Sequence, residues 1–189
     1  MSRPREFDMD AALEGAMDIF WRQGFAATNL PDLLTAMGLT RGSFYKAFTD
    51  KETAYLKALD FYDQAVVSTT VETLASCKTD TASACLAQLF APSPEPRRGC
   101  FICNAMVELA PVNHRVAVKA NRMSRRLRGA IEARILQHRP AADPDWSAAA
   151  ADMILHLYFG HQAMGKSEDL PGGWPGKLAN LLGETAARP

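Results

Sequence analysis

ATNLPDLLTAMGLTRGSFYKAFTDK, residues 27–51, packs two short helices around a glycine and ends at the start of a third. Asn29 is placed to cap the first of them, with Asp32 three residues on and Pro31 in the opening turn, where its missing N–H costs nothing. Leu30, Leu33, Leu34 and Met37 face inward, Gly38 ends the helix and Leu39 plugs the corner. The next helix runs from about Arg41 to Phe48, with Phe44 and Phe48 buried four apart. Arg41, Gly42, Ser43, Tyr45 and Lys46 are left on the face turned away from the core. A short helix held from behind, with a polar outer face, is the layout of a helix-turn-helix whose second helix enters a DNA groove.

Working outward, Leu13, Ala16, Met17, Phe20 and Trp21 recur at helical spacing and predict a first helix over Met9–Gln23, stopped by Gly24 in a left-handed turn. A Thr49-Asp50-Lys51-Glu52 box opens a long helix to roughly Ser76, with Tyr55, Leu59, Tyr62 and Val66 inside. A helix follows around Ala82–Phe90, and Pro92, Pro94 and Pro96 impose an extended connector. Gly99–Leu109 reads as a short helix closed by Pro111. Asn113–His138 is long, amphipathic and basic on its outer face through Lys119, Arg122, Arg125, Arg126 and Arg128. Asp145 caps a helix from Trp146 to about Met164, and a last helix covers Trp174–Ala186. With no repeat and no convincing strand, the pattern predicts an all-α fold of about nine helices. It divides into an N-terminal helix-turn-helix unit, residues 1–51, and a larger helical unit, residues 52–189.

Composition constrains the reading without deciding it. Hydrophobic residues make up 48% of the 189, enough for a real core, and the formal net charge is zero. The first 51 residues hold six Lys/Arg and seven acids, so contact with nucleic acid rests on where charges sit rather than on their sum. The opening MSRPREFD is charged and lacks an apolar stretch, so no signal peptide is expected. Ala148–Gly160 is interrupted by Asp152 and His156 and is too short and polar to span a bilayer. Cys77, Cys85, Cys100 and Cys103 are then expected to be reduced thiols in a cytoplasmic protein.

Each polar group on the outer helix has a chemistry it can perform. Arg41 can offer guanine O6 and N7 two hydrogen bonds. Gly42 lets the helix start approach a phosphodiester backbone closely. Ser43 and Tyr45 can bond phosphate or base edges, Lys46 and Lys51 can offer charge to phosphates, and Thr28 lies where a further phosphate contact is expected. Arg3 and Arg5, on the N-terminal arm, can reach a neighbouring minor groove. Taken singly, any of these basic residues would serve only to keep a surface solvated; their combination with Gly24, Asn29, Gly38, Phe44 and Phe48 carries the reading.

Arg97-Arg98-Gly99-Cys100-Phe101-Ile102-Cys103 is the other stretch with chemistry in it. A Cys100 in the first helical turn beside two arginines would ionise easily, its pKa falling from ~8.5 toward ~3.5–7.5. Cys103, one turn on, could resolve a sulfenic acid. Burial of either cysteine as a small hydrophobe is the plainer alternative. One CxxC supplies two metal ligands, and His114 and His138 lie at no finger-like spacing, so no metal site is expected.

The stretches AMDIFWRQGFAATNL, LLTAMGLTRGSFYKAF and DKETAYLKAL, the last running on to Leu59, carry a resemblance of residues Ala11–Lys57 to the N-terminal pattern of TetR-type transcriptional regulators. The resemblance covers about the first third of the chain, and it implies a double-stranded operator as partner. It assigns the DNA-contact positions to Thr28, Arg41, Gly42, Ser43, Tyr45, Lys46 and Lys51. Ala47 departs from the pattern, because many members carry His or an aromatic there. The resemblance further implies a homodimer through the last two helices, where Ala149, Met153, Leu157 and Ala163, then Leu178, Leu181 and Leu182, form apolar stripes. It also implies an effector pocket among the middle helices, for which Phe61, Tyr62, Met106, Met123, His156, Tyr158 and Phe159 are candidates. Some TetR-type regulators with a Gly-Cys at this point sense electrophiles or oxidants with the thiol, and this segment is similar to theirs. The expected function is therefore a non-enzymatic, cofactor-free regulator, most simply a repressor released by a small molecule or by modification of Cys100. Two rivals stand beside it: a helical thiol oxidoreductase using Cys100 and Cys103, and a helical interaction protein that has lost DNA binding.

Overall fold

The computed structural model describes residues 7–92, 95–167, 170 and 172–184. The described residues form ten α-helical segments and no strand. Arg3 and Arg5 lie outside them. The segments are α1 (Met9–Gln23), α2 (Leu30–Met37), α3 (Arg41–Phe48), α4 (Lys51–Tyr62), α5 (Ser68–Ser76), α6 (Ala82–Leu86), α7 (Phe101–Glu108), α8 (His114–His138), α9 (Pro144–Met164) and α10 (Trp174–Leu182). A single hydrophobic core runs from Ala12 on α1 to Leu182 on α10.

The N-terminal helices begin and end on local chemistry. The Asp8 carboxylate accepts from the Asp10 and Ala11 amides at 3.0 and 3.2 Å. Asn29 accepts from Asp32 at 2.9 Å, and Thr40 from Ser43 at 3.2 Å. Gly24 and Gly38 both take positive φ, and Gly38 is the left-handed one. Gly15 sits in mid-helix, where glycine costs about 0.5–1 kcal/mol relative to alanine. Its reason is space, since a Cβ there would meet the Ala36 carbonyl oxygen at 2.0 Å. Bare backbone at Gly15 lets α1 and α2 touch and sets where α3 points.

The cap of α4 is Asp50, whose carboxylate accepts from Thr53 at 2.7 Å, rather than Thr49. Thr49 instead forms a γ-turn with φ 52° and ψ −54°, the Asp50 amide donating to the Phe48 carbonyl. A β-branched residue is strained there. Thr49→Gly is expected to relieve about 1 kcal/mol and raise the melting temperature by roughly 2–4 °C. A thermal melt no higher than the parent's would show that Thr49 is not held in this conformation.

The long helix expected to reach Ser76 is interrupted by a widened, π-helical turn at Asp63–Val67. Asp63 is buried, and its carboxylate accepts from Arg122 at 2.9 Å and from Arg126. The basic face of α8 is therefore largely paired, although Arg122, Arg125 and Arg126 remain exposed. Lys119 and Arg122 also pair with Asp60, Arg128 pairs with Glu132 and Asp152, and buried Arg134 holds the Leu74 and Cys77 carbonyls.

Three other expectations are corrected. Cys77 and Cys85 are joined in a disulfide, their Cα atoms 5.9 Å apart, so two free thiols remain rather than four. The helix at residue 82 tightens into a 3₁₀ turn over Ala87–Phe90. The helix expected from Trp146 begins at Pro144, because Asp143 rather than Asp145 caps it, accepting from Trp146 at 2.9 Å. At the far end Glu184 accepts from the Ala82 and Ser83 amides at 3.1 Å each, so α6 is capped by a residue a hundred positions away.

Candidate nucleic-acid interface and the thiols beside it

Helix α3 divides sharply by face. Phe44 and Phe48 are 0% exposed and stack on each other at 5.5 Å. Arg41, Gly42, Tyr45 and Lys46 face solvent, and Ser43 is half-buried. The Arg41 guanidinium lies 5.8 Å from the centre of the Tyr45 ring, which is itself 46% exposed. Ring and cation thus form one shelf on the outer face. Gly42 has no heavy atom within 4 Å of where a Cβ would stand, so its lack of a side chain serves no internal contact.

Two predicted contacts sit elsewhere. Thr28 is 0% exposed, and its hydroxyl donates to the Gly24 carbonyl at 2.6 Å. That side chain closes the α1–α2 turn and is not available to a phosphate in this conformation. The Lys51 ammonium donates to the Phe25 and Thr28 carbonyls at 2.8 and 2.9 Å and lies 4.2 Å from the centre of the Phe25 ring. Two of its three N–H bonds therefore hold the same turn from the other side.

The thiols differ from the sequence expectation in both exposure and charge. Cys100 precedes α7 as its cap residue, is 2% exposed, and its sulfur lies 3.9 Å from the Tyr62 hydroxyl. Burial pushes the Cys100 thiol up, outweighing the downward pull of the Cys103 and Ile102 amides. The neighbouring arginines do not help it. Arg98 lies over the Trp21 ring at 4.0 Å and donates to Asp18 at 2.6 Å, and Arg97 is exposed. The expectation of a readily ionised Cys100 is thus overturned by desolvation. Cys103 is half-buried; burial raises its thiol too, while Lys166 works against the rise.

The effector-pocket candidates do not form one lining. Tyr62 and Tyr158 converge on Cys100, and burial raises both phenols. Met123 is fully buried core, while Phe61, Met106 and Phe159 pack partly buried against it. His156 faces the other way, into an open groove of about 710 Å³ between α9 and α10 that also includes Met153, Leu157, Trp174 and Leu181. Of the apolar stripe expected on α10, Leu178 and Leu182 are buried against their own chain. On α9, Ala149, Met153, Leu157 and Ala163 remain exposed.

Sequence reading missed the residues that join the two parts. The Glu108 carboxylate, at the end of α7, accepts from the Phe25 and Ala26 amides at 2.9 and 2.7 Å. Trp21 Nε1 donates to the Gly99 carbonyl at 3.0 Å, and the Asn104 amide donates to the Trp21 carbonyl at 3.4 Å. The one available signal was Gly24, whose Cβ would lie 2.8 Å from a Glu108 carboxylate oxygen. Among the described residues no three His, Cys, Asp or Glu side chains gather as metal ligands, and no helix is long and apolar enough to cross a membrane.

Comparison with known proteins agrees with this geometry. Residues 12–55 match the family model for bacterial regulatory proteins of the tetR family. The chain is 36% identical over 115 residues to the HTH-type transcriptional repressor ComR of Escherichia coli (strain K12), 58% of this chain and 54% of that relative. It thus spans about half of ComR's length. It is 27% identical over 136 residues to the uncharacterized HTH-type transcriptional regulator YezE of Bacillus subtilis (strain 168), covering 69% of each. Among solved structures it superposes on a cysteine mutant of the TetR family transcriptional regulator CifR in complex with 26-bp operator DNA. That match has TM-score 0.79 and 25% identity, and covers 96% of this chain and 99% of that one.

Proposed function

We propose that this chain, a TetR-type DNA-binding transcriptional regulator, is a cytoplasmic, dimeric repressor released from its operator by a thiol-reactive or small-molecule effector. The observation that carries the reading is the division of α3. Phe44 and Phe48 are sealed inside, so Arg41, Gly42, Tyr45 and Lys46 form an exposed polar shelf with half-buried Ser43 beside them. Residues 1–51 act as the reader and residues 52–189 as the body that spaces two readers. A cysteine mutant of CifR, with which 96% of the chain aligns, was solved on operator DNA.

In this reading Arg41 supplies direct base readout and Tyr45 and Lys46 position the helix on phosphates. Lys51 contributes its remaining N–H bond and its charge, while Thr28 acts only through the turn it closes. Arg3 and Arg5 supply minor-groove contacts from the arm. The exposed stripe on α9, with Leu181 and Trp174 across the groove, receives a second copy of the chain, which sets the two α3 helices about 34–36 Å apart. An effector that fits only the wrongly spaced form weakens operator binding by its differential affinity, typically ~1–3 kcal/mol.

The test is operator selection followed by binding measurements. Arg41→Ala is expected to cost about 1–3 kcal/mol at one base position and relax preference there, with other positions unchanged. An unaltered site preference in the variant would remove Arg41 from base readout. No selected sequence at low salt, where phosphate contacts are strongest, would overturn the operator-binding role itself.

A further inference from the structure

Between the end of α1 and the flank of α7 lies a pocket of about 330 Å³ whose walls include Trp21, Cys100, Cys103, Asn104, Glu108 and Lys166. Its size is at the low end of the ligand-pocket range of ~300–1,000 Å³, which suits a small molecule. Gly99, at φ 63°, turns the chain into it, and a Cβ there would press on the Gln162 carbonyl and the Lys166 stem at 3.0 Å each. The two free thiols occupy different depths. Cys100 is nearly sealed behind Tyr62, while Cys103 is half-buried. The Lys166 ammonium donates to the Asn104 side-chain oxygen at 3.0 Å and so stands close to Cys103 at the rim. Another wall is the Glu108 carboxylate, already engaged with the Phe25 and Ala26 amides of the α1–α2 turn.

We propose that this junction pocket receives a small α,β-unsaturated carbonyl compound, and that Cys103 rather than Cys100 is the thiol that takes it. The inference rests on the thiol-release reading above and reassigns its site. Cys103 gives its proton to water, and the thiolate pair forms a C–S bond to the β-carbon of the electrophile. The C=C π pair shifts to the bond between the α-carbon and the carbonyl carbon, and the C=O π pair moves onto oxygen, where the Lys166 ammonium can donate to the developing enolate. Water then protonates the α-carbon. The step is a net addition, with no leaving group and no redox partner.

The adduct matters because of what shares the pocket. Glu108 lies on the same helix, little more than one turn beyond Cys103, and new atoms at Cys103 fill space beside its carboxylate. Moving that carboxylate frees two amides of the turn that Thr28 and Lys51 also close. The turn leads directly into α2 and the recognition helix. Glu108 is thus a positioning residue, linking the modified thiol to the direction in which α3 points.

The experiment treats the full chain with methyl vinyl ketone and locates the adduct by peptide fragmentation. Cys77 and Cys85 are paired, so the free thiols at issue are Cys100 and Cys103. The first adduct is expected on Cys103 in the parent and at a similar rate in Cys100→Ser, with labelling at least about tenfold slower in Cys103→Ser. A first adduct on Cys100, or equal labelling of Cys103→Ser, overturns the assignment. Glu108→Gln, which keeps the shape but weakens the grip on the two amides, is expected to bind operator more weakly before treatment and to lose less on treatment. A Glu108→Gln protein with the parent's affinity and the parent's response overturns the coupling. Labelling on Cys103 with no loss of operator binding in the parent defeats the release reading while the site stands; labelling on Cys100 with release defeats the site while the release reading stands.

Discussion

Gly15→Ala is expected to weaken operator binding at least about tenfold and to lower the melting temperature, although alanine is the better helix former by ~1 kcal/mol. Propensity loses here to sterics. The new Cβ would stand 2.0 Å from the Ala36 carbonyl oxygen and 2.7 Å from its carbon, backbone atoms of α2 that have no rotamer to escape into. Overpacking of this kind costs about 1–3 kcal/mol and sometimes more, paid as displacement of one helix from the other. Only Gly38, Leu39 and Thr40 separate α2 from α3, so the displacement reaches the recognition helix. Isothermal titration with a selected operator, alongside a thermal melt, measures both effects. A variant that melts above the parent and binds equally well would mean that α1 and α2 do not make this contact.

Phe101→Ala is expected to cost about 3–5 kcal/mol and to lower the melting temperature by roughly 6–20 °C. The ring is fully buried at the junction of the two parts. It stacks on Trp21 of α1 at 6.2 Å and meets Tyr55 and Tyr62 of α4 edge-on at 5.5 Å each. Deleting it leaves a cavity bordered by three aromatic rings carried by two helices, α1 and α4, which cannot all collapse inward together. Phe101→Leu, which restores most of the volume, should recover more than half of the loss. Denaturant unfolding followed by tryptophan fluorescence reads the change through Trp21 itself. A loss below about 1 kcal/mol for the alanine variant would show that this ring does not tie α7 to the head.

The front of the molecule was legible because its signals are local. Asn29 caps α2 through an amide three residues away, Gly38 supplies the left-handed exit, and Phe44 and Phe48 repeat within one helical turn. A pattern read along the chain captures such features, and the outer face of α3 follows by subtraction. The same method did not anticipate the inward bonds of Thr28 and Lys51. Both were assigned outward from position alone, yet each satisfies carbonyls of a turn whose curvature is not written in any short window.

The cysteines illustrate the same limit. A Gly-Cys beside two arginines at a helix start has the local chemistry of an acidic thiol. In the folded chain Trp21 and Asp18 draw Arg98 away, Tyr62 covers Cys100, and desolvation reverses the expected direction. Likewise nothing near residue 63 announced a widened turn; it accompanies a buried carboxylate gripped by arginines about sixty positions on.

Hydrophobic period, caps and glycine stops along the chain were thus sufficient for an all-helical molecule with a helix-turn-helix head, since each acts within about four residues. Which thiol a reagent can reach, which carboxylate holds the α1–α2 turn, and which basic groups remain free for phosphate depended on packing. Burial and long-range pairing are properties of distant segments brought together, and they can cancel or invert what a side chain would do beside its sequence neighbours alone.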